Sequence, residues 1–255
     1  MHKAHQIRIL SYNMQVAMGT SRAHHYVTHS WKHVLPHKDI HANLDHIAKV
    51  IADYDIVALQ EADAGSMRTA FTNHTEYLAH KARFHYWHNQ VNRNLGRIAQ
   101  HSNSVLSRFH PRGFEEHKLP GLIPGRGMLV ASYGKQEKML GVFVLHLALS
   151  QRARMRQLEM ASELVSEYKH AIFMGDMNCE ADSVEMKMLL KKTSLQLPEK
   201  QACTFPSWQP RKRIDHILVT PELQVHDTHV VEHYGSDHLP VAMIVDVPGS
   251  LELAH

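Results

Sequence analysis

Apolar and polar positions divide this chain into short buried strands and a few amphipathic helices. Ile7 to Tyr12 reads as a buried strand ending on Asn13. Asn43 to Asp53 places Leu44, Ile47, Val50 and Ile51 at helical spacing. Asp55 to Leu59 is an apolar run read as a strand, and it ends at Gln60-Glu61. Met67 to Ala82 predicts a helix, and Ser104 to Leu106 a short strand. The Pro/Gly-rich stretch Leu119 to Gly127 predicts a loop. Two strands follow, Met128 to Tyr133 and Met139 to Leu147, with a turn near Gly134-Lys135. Arg152 to Tyr168 is amphipathic, apolar at Met155, Leu158, Ala161, Leu164 and Val165. His170 to Met174 reads as a strand leading into Gly175-Asp176, and Ser183 to Lys191 as a helix. Ile214 to Thr220 and Val241 to Val247 are the last strands.

Strands outnumber helices, and the order is not a strict βαβ alternation. The expected fold class is therefore α/β (α+β), with two packed sheets and helices outside them. No linker, repeat or composition shift divides the chain, so residues 1–248 are read as one domain and 249–255 as a tail outside the fold. Gly19 to Lys38 has no clear period and reads as a loop or insertion. Within and just beyond it, His25, His29, His33, His37 and His41 recur every four residues, but Pro36 breaks the helix that would align them. A polar surface segment is expected there.

Composition narrows the picture modestly. A length of 255 residues suits one large α/β domain or two small ones, and a 44% hydrophobic fraction supplies a core. The net charge of +3 and pI near 8.8 suit an anionic substrate without demanding one. Cys179 and Cys203 form no disulfide framework and no zinc-type spacing, so a reducing, cytoplasmic setting is expected. The N-terminus has no apolar signal core, and no stretch approaches the roughly 20 apolar residues of a membrane span. A monomer is expected.

The candidate chemistry lies at strand ends. Asn13, Glu61, His146, Asp176, Asn178 and Asp215 each sit at or beside the end of an apolar strand, and Asp237-His238 precede one. Rigid strands that deliver acids, amides and imidazoles to one rim make a plausible active site. The set holds no serine or cysteine in an activated context. Carboxylate and amide oxygens suit Mg²⁺ or Mn²⁺, which neutralise charge on a phosphoryl group while a positioned water attacks in line. No GxxxxGK[ST] loop is present, which argues against nucleotide-driven transfer.

Seven segments fall in a recognisable order: Ser11-Tyr12-Asn13, Leu59-Gln60-Glu61, Ser102 to Arg108, Leu145-His146-Leu147, Gly175-Asp176-Met177-Asn178, Ile214-Asp215-His216-Ile217 and Ser236-Asp237-His238-Leu239-Pro240. This string resembles the endonuclease/exonuclease/phosphatase (deoxyribonuclease I-like) superfamily, and the resemblance spans nearly the whole chain. It implies a four-layer α/β/β/α sandwich of two mixed sheets flanked by helices. It also implies roles: Glu61 as principal metal ligand with Asn13 and Asp237, and Asp176 orienting or deprotonating the water. Asn178 would bind a phosphate oxygen. His238 would donate to the phosphate or act as base, with Asp215 fixing its tautomer. His146 would contact the phosphate or serve the leaving oxygen, and Asn103 would help shape the phosphate site. Some relatives carry an acid where this chain has Gln15, and a neutral side chain there weakens the case for a second, tightly bound metal.

The expected activity is that of a Mg²⁺- or Mn²⁺-dependent phosphodiesterase of nuclease type. A phospholipid or sphingomyelin phosphodiesterase, an inositol-phosphate phosphatase and a catalytically silent binding protein are the alternatives. Basic residues that could reach a substrate are Arg93, Arg97 and Arg108, then Arg152, Arg154 and Arg156, then Arg211, Lys212 and Arg213. Arg108 and Arg213 are the chosen substrate contacts, and the Arg152 group is read as surface charge at a helix start. Trp87, Trp208 and Tyr234 could stack on bases. A lipid substrate would favour an apolar loop such as Leu119 to Met128 or Tyr26 to Leu35.

Overall fold

Strict alternation of side chains along the strands generates the architecture. In β1 (His5–Asn13), Ile7 and Ile9 face one way and Leu10 and Tyr12 the other. In β2 (Ile56–Asp63), Ile56 and Ala58 oppose Val57 and Leu59 in the same manner. All of these residues are buried, so both faces of the sheet must be covered. The computed structural model describes residues 4–17, 40–94, 98–121, 124–135, 138–200 and 202–254.

The remaining strands are β3 (Tyr86–Asn94), β4 (Gln100–Ser107), β5 (Gly113–Lys118), β6 (Gly127–Lys135), β7 (Lys138–His146), β8 (His170–Asp176), β9 (Asp215–Val219), β10 (Gln224–Val230) and β11 (Val241–Val247). They form a six-stranded mixed sheet, β10-β11-β1-β2-β4-β3, and a five-stranded mixed sheet, β5-β6-β7-β8-β9. The inner faces meet in a core that includes Ile9, Ala58, Val105, Val142, Ile172, Ile217 and Met243. The helices α1 (Ile40–Ile51) and α2 (His74–Lys81) cover the outer face of the first sheet through Leu44, Ile47 and Leu78. On the second sheet, α3 (Gln151–Val165) and α4 (Val184–Lys192) lie over Phe143 and Phe173 with Leu158, Ala161 and Leu189. Ser150 and Ser183 cap these two helices by accepting from Ala153 N and Met186 N. The expected α/β/β/α sandwich is therefore present.

Three features differ from the sequence reading. The helix expected over Met67–Ala82 is a short 3-10 turn, Met67–Thr69, followed by α2. The Asp63 carboxylate accepts from Gly65 N, Ser66 N, Ser66 Oγ and Thr69 Oγ1, and the chain then passes through positive φ at Ala70 and Phe71 before Asn73 starts α2. Strands β3, β5 and β10 were not expected, and each is the edge of a sheet. Residues 249–254, expected to be a tail, pack on the fold. Leu251 is fully buried in the core between the sheets, Lys135 pairs with Glu252 at 2.7 Å, and His110 N donates to Ala254 O. Among the described residues no helix is long and apolar enough to cross a membrane. The segment Gly19–Lys38, with its histidines at 25, 29, 33 and 37, lies outside the described residues, as does Tyr26 to Leu35. His41 starts within α1, its ring 5.5 Å from that of Tyr77.

Candidate active site

The alternation that builds the inner core continues to one rim of the sandwich. Asn13 extends the series Ile7, Ile9; His146 extends Val142, Val144; Asp176 extends Ile172, Met174; and Asp215 precedes Ile217, Val219. Each polar residue therefore projects between the sheets where the apolar series ends. Glu61 is out of phase with Ile56 and Ala58. The ladder between β2 and β4 shifts register between Leu59 and Ala62, and Glu61 takes φ 57°, which redirects the side chain. Gly175 answers a different need. His146 and Asp176 are register partners on β7 and β8, and a Cβ on Gly175, at φ 146°, would lie 1.9 Å from Leu145 O.

Asp176 is the hub. Its Oδ2 accepts from Asn13 Nδ2 at 3.0 Å, its Oδ1 accepts from Asn178 N at 2.9 Å, and His146 Nε2 lies 3.3 Å from Oδ2. His238 Nε2 is 3.8 Å from the same oxygen, while His238 Nδ1 is 2.8 Å from Asp215 Oδ2. Thr204 Oγ1 donates to that same Asp215 oxygen. His146 Nδ1 approaches Glu61 Oε1 at 3.9 Å. Asp237 is tied in through Ser236, whose Oγ lies 2.8 Å from Asn13 O and 3.2 Å from Asp237 Oδ1. Asn178, at φ 50°, donates Nδ2 to Leu147 O. Phe205 packs on the His238 ring, with centroids 4.8 Å apart.

Burial makes these contacts electrostatically strong. It opposes charge on His238, but Asp215 and Asp176 outweigh that cost and lift its pKa to about 10. Burial lifts Asp176 to about 7, with His238 pulling down and Asp215 pushing up. His146 is driven well below its usual range by burial, with Arg126, His238 and His101 adding to the effect. The rim thus combines a charged imidazolium, a neutral imidazole and a carboxyl poised near neutrality.

A divalent cation fits this donor set. Asp176, Asp215 and His238 bring one N or O atom each within 4.8 Å of one another, and with His238 protonated it is the carboxylates of that group, not the imidazole, that offer donors to a cation. The amide of Asn13 and the carboxylates of Glu61 and Asp237 add hard oxygen donors at the same rim.

Asn103 also reaches the site: it is buried, donates Nδ2 to Gly127 O and lines a cleft of about 780 Å³ beside Glu61 and His146. Arg108 does not. Its guanidinium donates to the carbonyls of Ala52, Tyr54, Ala82 and Arg83, where α1 and α2 end, and lies over the Phe84 ring. Positive charge at two helix C-termini is a structural use of arginine. Arg213 faces Glu180, its N bonded to Oε1 and its Nε 3.4 Å from Oε2. Arg126 and His101 escaped the sequence reading. Both line the cleft, and Arg126 feels the charge of Glu61 and Asp176. Arg126 stands in an irregular loop, so no periodic pattern marks it.

A four-layer sandwich with acids, amides and imidazoles at one rim defines a class of protein rather than a substrate. The chain matches the model of the Endonuclease/Exonuclease/phosphatase family over residues 10–238, and it belongs to that family of phosphoester hydrolases. No curated protein matches it. Among solved structures it is similar to an endonuclease/exonuclease/phosphatase from Beutenbergia cavernae DSM 12333, with a TM-score of 0.76, 18% identity, 95% of this chain covered and 72% of that one. It is also similar to a mannosyl-6-phosphatase from Bacteroides thetaiotaomicron VPI-5482, with a TM-score of 0.66, 17% identity and coverage of 94% and 99%. D. rerio TDP2, solved with a single-strand DNA product, gives a TM-score of 0.68, 16% identity and coverage of 95% and 99%.

Proposed function

We propose that this protein is a divalent-metal-dependent phosphodiesterase that cleaves its substrate by in-line attack of water. The observation that carries the reading is the convergence on Asp176: Asn13, His146 and His238 surround one carboxylate oxygen, and Asp215 holds the far side of the His238 ring. Glu61, Asn13 and Asp237 are the residues that would hold Mg²⁺ or Mn²⁺. The bound cation would neutralise charge on the phosphoryl oxygens.

The remaining work falls to side chains. Asp176, with a pKa near 7, holds the attacking water and takes its proton at Oδ2. His238, kept charged by Asp215, donates from Nε2 to a phosphoryl oxygen as negative charge builds there. Asn178 binds a second oxygen of the phosphate. His146, neutral, hydrogen-bonds the leaving oxygen. Arg126 adds a fixed positive charge at the cleft side of the site.

Bis-p-nitrophenyl phosphate supplies the test. The protein should hydrolyse it with Mg²⁺ or Mn²⁺ and stop in EDTA. Asp176→Ala and His238→Ala should each lower kcat by about 10²- to 10⁴-fold. A loss under about tenfold in both would remove the assignment. Comparison with p-nitrophenyl phosphate separates diesterase from monoesterase action, the latter being the activity named for the Bacteroides neighbour.

A further inference from the structure

We propose that the cleft beside the catalytic rim binds a second phosphate group of the substrate, so that the preferred substrate is a compact molecule carrying at least two phosphates. The inference rests on the phosphoesterase reading above and adds what lies next to the scissile group.

The cleft of about 780 Å³ is within the usual range for small-molecule sites. Its charged lining is one-sided. Arg93, Arg126, Arg152 and Arg156 face it, and Glu61, already assigned to the cation, is the one carboxylate among its described lining residues. The three arginines at the start of α3 are not equivalent. Arg152 and Arg156 are four residues apart and share a helix face, whereas Arg154 points elsewhere. Arg154 is saturated: Nε and a terminal nitrogen each lie 2.7 Å from Glu185 Oε1, and its other terminal nitrogen donates to Ala148 O and Leu149 O. Among the described residues, no carboxylate pairs with Arg152 or Arg156.

Arg93 lies across Gly125, where a Cβ would sit 2.8 Å from Arg93 Cβ and where φ is +105°. Gln157 fastens the two flanking loops, accepting from Ala148 N and donating to Pro120 O. Arg126 is half-buried in the cleft wall, while Arg93, Arg152 and Arg156 are exposed at its rim. Arg93 works against the charge of Arg126, and a bound phosphate would relieve such repulsion among the arginines through bidentate contacts.

The same lining argues for a compact ligand over a nucleic-acid strand. No Trp, Tyr or Phe lies among the described residues that face the cleft, so it offers no stacking platform for successive bases. Trp87 packs instead against the core under α1 and α2.

Two chromogenic diesters that share a scissile bond and leaving group provide the test: thymidine 5′-(p-nitrophenyl phosphate), with and without a 3′-phosphate. With the Mn²⁺-loaded protein, the 3′-phosphorylated probe should show a kcat/KM higher by about 10- to 100-fold, mainly through KM. In Arg152→Ala/Arg156→Ala that ratio should fall to within about twofold of one, and the corresponding double lysine variant should keep part of it. A wild-type ratio near one, or a ratio unchanged by the alanines, overturns the proposal. So does a single-stranded oligonucleotide cleaved more efficiently than the bisphosphate probe. Calorimetry with thymidine 3′,5′-bisphosphate against thymidine 5′-monophosphate reads the cleft without turnover. Selective binding of the bisphosphate with no hydrolysis would sink the catalytic reading alone, and hydrolysis with no selectivity would sink this one alone.

Discussion

His238 shows how much of a residue's behaviour is set by partners distant in sequence. Free in water it would be half protonated near pH 6.5, yet Asp215 and Asp176 hold it charged up to about 10. The sign of the consequence is fixed. A raised folded-state pKa contributes stability in full below about 6.5 and loses it as pH rises toward about 10. Asp176, raised from 3.8 to about 7, has lost its contribution by neutrality. In EDTA, the melting temperature should therefore fall as pH rises from 6.5 to 10, and His238→Gln should flatten that slope. A wild-type slope equal to the variant's would mean that the imidazolium is not held by its neighbours. The strand-end residues were legible because period-2 alternation carries them to the rim. Arg108 was misread because its spacing gives no hint that two helices end beside it. Arg126 was missed because an irregular loop hides it.

At the scale of elements, buried strands were legible and edge strands were not. β2, β7 and β8 are apolar on both faces, since each lies between a helical layer and the opposite sheet. β5 and β10 are edges whose burial is partial, with burdens such as Glu115, Glu116 and Asp227 that do not read as strand formers. The β7–β8 pair carries the most exposed risk for function. Gly175→Ala would drive a methyl group into Leu145 O one residue before His146 and Asp176. Urea unfolding should show a loss of about 1–3 kcal/mol or more, with hydrolysis of bis-p-nitrophenyl phosphate falling further than stability alone explains. Unchanged unfolding and activity would show that the strands yield without cost.

For the whole molecule, the pattern of strands and helices was enough to predict two sheets with helices outside. The ordered motifs were enough to predict four layers. The C-terminal segment escaped because Leu251 and Leu253 alternate with Ser250 and Glu252 over too short a run to mark an element, and their burial depends on a core formed by both sheets. Leu251→Ala should cost about 2–5 kcal/mol in urea unfolding, the range for emptying a fully buried leucine site. A change below about 0.5 kcal/mol, normal for a surface position, would return the segment to the status of a tail.

The rim takes Asn13 and Glu61 from one sheet and His146, Asp176 and Asp215 from the other. Neither sheet carries the complete proposed catalytic set. The apolar layer between them is therefore a spacer as well as a glue: its thickness is the tolerance to which the Asn13–Asp176 contact is cut. Side chains such as Val142 and Met243, within the core and not at the rim, hold that clearance, and a repacked core that is equally stable but slightly thicker would leave every proposed catalytic residue present and the machine out of adjustment.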